Sequence, residues 1–183
     1  MIRLVGEVER GSSFRLRPSA IQSLHRIAIQ DIYSCAGNYR TSQVQIRGTD
    51  HQPPPWQDVP GLVEEMCDYV NDHWTAATPV HLASYLMWRI NWIHPFAGGN
   101  GRTSRAVSYL SLCCRLGYRL PGTLTIPDQI VVNREPYYGA LDAADFAWSH
   151  GNVDVSAMEE LLGSLLARQL TRIHEAAMSP IKG

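Results

Sequence analysis

His94-Pro95-Phe96-Ala97-Gly98-Gly99-Asn100-Gly101-Arg102-Thr103-Ser104-Arg105 joins two helical patterns, and the reading of the chain turns on it. Upstream, Thr78 and Pro79 supply an N-cap and a first-turn proline. Leu82, Tyr85, Leu86, Ile90 and Ile93 then recur at helical spacing until His94-Pro95 stops the run. Downstream, a strongly apolar helix is expected from about Gly101 to Leu116, closed by Gly117. The connecting glycines permit positive φ and let backbone N–H groups converge on an anion. A helix starting near Asn100 would turn its free N–H groups and positive dipole end toward that anion. Arg102 and Arg105, three apart, share one helix face. A titratable imidazole at 94 beside such a cradle points to transfer of a phosphate-containing group to an acceptor held near His94.

Two other glycine-loop chemistries fail on the residues. Gly101-Arg102-Thr103 imitates the end of a Walker A loop, but Phe96 occupies its first glycine, arginine replaces its lysine, and the preceding segment reads as helix. A dinucleotide fingerprint needs a βαβ unit, and no such pattern flanks these glycines.

Working outward, Pro18-Ser19 opens a helix with Ile21, Leu24, Ile27 or Ala28, Ile32 and Tyr33 at helical spacing, ending near Gly37-Asn38. Residues 41–48 alternate polar and apolar, as a short strand or hairpin arm does. His51 and Pro53-Pro54-Pro55 read as a stiff surface loop. A helix from about Asp58 to Trp74 turns Leu62, Met66, Tyr69 and Val70 inward. Pro127–Asn133, Glu135–Trp148 and Val155–Met178 complete the series, the last a long amphipathic helix. The tally is all-α with one small β element.

The 183 residues suit one domain with a single core, and 45% hydrophobic content is ordinary for a globular protein. A net charge of −1 gives no global case for nucleic acid or an anionic membrane, so basic chemistry has to be local. Cys35, Cys67, Cys113 and Cys114 lack metal-ligand spacing and read as buried reduced thiols. His25, His73, His81, His150 and His174 have no sequence companions that suggest a metal site. Trp74, Trp88, Trp92 and Trp148 read as packing residues. The first residues lack a signal-peptide core and no apolar run approaches a membrane span, so a cytoplasmic protein is expected.

Residues 94–105 closely resemble the signature of Fic domains, His-x-Phe-x-Asp/Glu-Gly-Asn-Gly-Arg-x-x-Arg, through His94, Phe96, Gly99, Asn100, Gly101, Arg102 and Arg105. The resemblance extends from about Ala36 to Asp145. Ala36 to Arg40 with Val44, Gln45 and Ile46 looks like the Fic flap, and Asn133-Arg134 with Tyr137, Tyr138 and Leu141 like the segment closing over the nucleotide base. It implies an all-α Fic bundle with a β-hairpin flap, one domain over 1–183, with the flap at about 39–48 and the C-terminal helix at about 154–178. The implied activity is transfer of AMP from the co-substrate ATP to a hydroxyl side chain of a target protein. His94 would be the general base, and Phe96 would anchor the loop. Gly98, Gly99, Asn100 and Gly101 would surround the phosphates, with Arg102 and Arg105 on the outer ones. Tyr137 or Tyr138 would stack on the base. Val44, Gln45 and Ile46 would pin the target by strand addition.

One position departs from the signature. Gly98 stands where the family carries the acidic ligand of Mg²⁺. Three readings stay open: metal held by phosphates and water alone, a carboxylate from elsewhere, or a site that uses another phosphate-containing donor or only binds. A kinase of the Doc branch fits less well, because that branch carries lysine where this chain has Gly101. An inhibitory Ser/Thr-x-x-x-Glu-Gly/Asn helix is not matched in full, since Leu161 follows Glu160 and Ala176 follows Glu175. Restraint would then come from a separate partner chain or be absent.

Overall fold

Thr78 opens the central helix as the sequence predicts: its side chain accepts the His81 N–H, Pro79 follows, and the helix α3 runs Pro79–Ile93. The computed structural model describes residues 5–6, 14–29 and 35–178. Before α3 come α1 (Pro18–Ile29), a 3₁₀ turn (Trp56–Asp58) and α2 (Val59–Asp72); after it come α4 (Asn100–Leu116), α5 (Ile126–Val132), α6 (Glu135–Ser149) and α7 (Ser156–Met178). The architecture is all-α, and no strand occurs among the described residues. No helix among them is long and apolar enough to cross a membrane.

α3 and α4 are the spine, each buried around most of its circumference. Every residue from Leu82 to Ile90 on α3 is buried, as is every residue from Val107 to Cys114 on α4. Small side chains let the two axes approach: Ser108 on α4 donates to the Ala83 carbonyl on α3 at 2.7 Å. α1 and α6 to α7 pack around this pair, with α2 on α3 and α5 against α4 and α7. Gln169 ties α7 to α5 by accepting the Ile126 N–H and donating to the Pro121 carbonyl.

Three expectations are corrected here. On α1, Ile27 faces solvent and the buried positions are Ile21, Leu24, His25 and Ile29, because the inward stripe follows residues 21, 25 and 29. Ile32 and Tyr33 lie outside the described residues. On α2 the inward line is Val59, Val63, Met66, Cys67 and Val70, with Leu62 and Tyr69 at its margin. Residues 41–46 are not part of a hairpin. Their alternation survives, with Val44 and Ile46 half-buried and Gln43 and Gln45 exposed, but no ladder partner is present among the described residues. The four cysteines are free thiols, and all but Cys35 are buried.

Candidate active site

The loop between α3 and α4 is held by its own side chains. His94 caps α3 in the left-handed conformation (φ 50°, ψ 57°), the one non-glycine residue with positive φ among those described. Phe96 is fully buried and lies flat on the His25 ring, centroids 3.6 Å apart and 5° from parallel. Asn100 brackets Phe96: its Oδ1 accepts the Phe96 N–H at 2.9 Å, and its Nδ2 donates to the Phe96 carbonyl at 2.8 Å. The side chain of Asn100 is therefore spent on the loop, and only its backbone is left for a ligand.

Gly99 starts α4 at φ +79°, and a Cβ there would sit 2.8 Å from Ile29 Cγ2. With no side chain to cap the helix, the amides of Asn100 and Gly101 keep no partner among the described residues, while those of Arg102 and Thr103 turn back to the Gly99 carbonyl. An anion bound here would meet main-chain donors at a helix N-terminus.

His94 is set up as an acceptor. Its Nδ1 lies 3.3 Å from the Asn91 carbonyl, which can only accept, so Nδ1 carries the proton and Nε2 is bare in the neutral ring. Burial pushes its pKa down to about 4, the Asn91 carbonyl opposes this, and Arg40 and His51 lower it further. His94 is neutral throughout the physiological range.

Arg105 is half-buried and electrostatically coupled to Tyr137, and its NH1 lies 3.4 Å from where a Gly101 Cβ would be. Burial is the main cause that lowers its pKa. Arg102 is exposed one turn earlier. Both line a cleft of about 520 Å³ together with Arg119, Thr125 and Asp128.

Tyr137 corrects the base-stacking expectation. It is 3% exposed, and its hydroxyl accepts from Asn91 Nδ2 at 2.8 Å and lies 3.5 Å from Ser104 Oγ, so it has no face to offer a base. It acts instead as a strut behind Asn91, whose carbonyl orients His94. Tyr138, the neighbouring ring, remains exposed.

Sequence reasoning missed three residues. His25 accepts the Gly37 N–H at Nδ1 and donates from Nε2 to the Gly98 carbonyl at 2.9 Å, which fixes its neutral tautomer; burial lowers its pKa. His51 is no free surface residue: its Nε2 donates to the Trp92 carbonyl, and Nδ1 lies 3.5 Å from Asp145. Arg40 is buried beneath His94 and bonded to its carbonyl. Their partners lie 12 to 94 positions away in the chain, beyond the reach of local pattern.

The donor set does not fit a resident divalent cation. Gly98 offers no side chain and its carbonyl is engaged by His25, while Mg²⁺ favours carboxylate and phosphate oxygens. No group of three or more His, Cys, Asp or Glu able to hold a metal occurs among the described residues.

Residues 15–112 match the model of the Fic/DOC family. The chain therefore belongs to that family. A protein adenylyltransferase Fic from Drosophila persimilis is 34% identical over 127 residues, covering 68% of this chain and 23% of that relative. The chain thus spans about a quarter of the length of this curated relative. A Fic-domain signalling protein from Bacteroides thetaiotaomicron shares the fold at a TM-score of 0.73 and 23% identity, over 93% of this chain and 66% of its own. BepC from Bartonella tribocorum, whose structure contains bound AMPPNP, matches at a TM-score of 0.59 and 13% identity, over 90% and 81% of the two chains.

Proposed function

We propose that this chain transfers AMP from ATP to a hydroxyl side chain of a target protein, as the name of its adenylyltransferase relatives suggests. The observation that carries the reading is the bare Nε2 of His94 on the loop that leads into main-chain donors without partners among the described residues. In this scheme Nε2 takes the proton of the target hydroxyl, whose oxygen bonds to the α-phosphorus as the bond to the pyrophosphate oxygen breaks. The amides of Asn100 and Gly101, with Arg102 and Arg105, meet the phosphates. Their donors are fixed before the reaction, so little reorganisation is needed when charge develops. An imidazole with a pKa near 4 is a weak base, but the charge of a bound triphosphate favours the protonated form and raises it toward the working pH.

The extended segment at Val44, Gln45 and Ile46 offers unpaired backbone to a target peptide, consistent with strand addition. Exposed Tyr138 is the remaining candidate for contact with the base. The fold over the whole chain serves as one such domain. Any cation that accompanies ATP is held without a carboxylate from this loop.

Gly98 favours a second reading, in which the fold binds nucleotide or uses another phosphate-linked donor without AMP transfer. Incubation with labelled ATP, with Mg²⁺, Mn²⁺ or a chelator, separates the two. Label on the chain or on lysate proteins that His94→Ala abolishes supports transfer; nucleotide binding with no label under any condition overturns it.

A further inference from the structure

Arg40 is buried to 3% exposure, yet every hydrogen-bond partner of its side chain is a main-chain carbonyl. Nε donates to His94 O at 2.8 Å, NH2 to Pro54 O at 2.6 Å and to Ile93 O at 3.4 Å, and NH1 to Ser42 O at 3.2 Å. Its own N–H donates to Pro95 O at 2.9 Å. Two of the four acceptors, Ile93 and His94, are the last carbonyls of α3, where the helix dipole is negative and a cation is favoured. The other two belong to the segments that flank the expected target-docking strand. One at its N-terminal side is Ser42, two residues before Val44; the other is Pro54, in the proline loop beyond it. Gln43 closes the same arch by donating to Pro53 O at 2.8 Å.

The geometry points to Arg40 as a positioning residue that makes the docking segment and the backbone of His94 one mechanical unit. This inference rests on the reading of His94 as the base. A planar fork can reach carbonyls of three separate segments at once, and a lysine ammonium on a flexible stem cannot reproduce that arrangement. The left-handed backbone of His94 calls for such support, since positive φ is unfavourable for a residue with a Cβ. Only a target strand seated on the flap at a fixed height above Nε2 would present its hydroxyl in line. A displacement of about 1 Å can cost about 10²-fold in rate. The guanidinium charge has a second consequence, because it lies close enough to His94 to disfavour the imidazolium.

The test separates fork from charge. Arg40→Lys keeps the cation and loses the fork; Arg40→Met loses both. Label transfer from ATP, ATP affinity by calorimetry, thermal stability and the titration of His94 by NMR in histidine-labelled protein are measured for each. The expected result for Arg40→Lys is an ATP affinity within about twofold, an unmoved His94 midpoint, and transfer reduced by about 10²-fold. Arg40→Met is expected to raise the His94 midpoint while the His25 signal stays in place. Transfer by Arg40→Lys within twofold of the unsubstituted chain, or an unmoved His94 midpoint in Arg40→Met, overturns the inference. A readout in the unsubstituted protein needs no variant: the Arg40 Nε–H, held by His94 O, exchanges slowly with solvent, and rapid exchange overturns the inference. If the unsubstituted chain transfers nothing at all, the AMP-transfer reading fails by itself, and the midpoint and the exchange rate still decide the part of Arg40.

Discussion

The loop at 94–101 and the extended segment at 41–46 are neighbours, joined through Arg40, and they are built in opposite ways. In the loop, Phe96 is buried on His25, Asn100 brackets it, and Gly98 and His94 are held through their carbonyls. In the extended segment, among the described residues, only the Gln43 side chain hydrogen-bonds to another part of the chain, and Gln45 is exposed. Chemistry that depends on placing phosphorus, oxygen and proton within tenths of an ångström calls for a preorganised support. Docking by backbone pairing calls for unpaired N–H and C=O groups, which a finished sheet would have consumed. The contrast divides labour between a rigid reacting centre and an open edge.

The largest effect expected from breaking this contrast is on turnover. His94→Ala should lower label transfer by ~10²–10⁴, the range for one well-placed base, with ATP affinity nearly kept. A variant that transfers normally removes His94 from the chemistry. Phe96→Ala should cost about 3–5 kcal/mol of stability, read by urea unfolding, since it empties a fully buried site under the loop. A cost below about 1 kcal/mol would mean the loop is not anchored through this ring.

Gly99→Ala should cost about 1–3 kcal/mol, from positive φ together with the close approach of Ile29, and should weaken ATP binding by moving the first amides of α4. The pH response is smaller. His94 and His25 titrate below their unfolded values, so the unfolded chain binds more protons as acid is added. For His94 that stability is present above about pH 6.5 and is lost as the pH falls toward about 4, and His25 acts in the same direction. His94→Gln should flatten that slope in urea titrations between pH 7 and 5. The smallest effect belongs to the open segment: Gln45→Ala should change stability by no more than about 0.5 kcal/mol. A loss of several kcal/mol there would show that the segment is as fixed as the loop.

Much of the site was legible beforehand because it is contiguous. One twelve-residue stretch carries the imidazole, the glycines and both arginines, and the helices around it follow from Thr78-Pro79 and from Gly117. Tyr137 shows where such reading stops. Its position at the start of α6 suited a stacking role, yet whether a ring faces a ligand or the core depends on how α6 rotates against α3 and α4. The Asn100 side chain turns inward onto Phe96, a contact that the sequence pattern did not show.

What the sequence determined by itself was the helix order, the family signature and the chemistry of its donors, since each depends on residues within a few positions of one another. The tertiary structure alone decided which nitrogen of His94 is bare, that His25 holds the Gly98 carbonyl, and that Arg40 joins the flap to the end of α3. Those facts need groups from distant segments brought within hydrogen-bond reach in a dry interior. A buried polar group there must find a partner, and only the packed fold specifies which one.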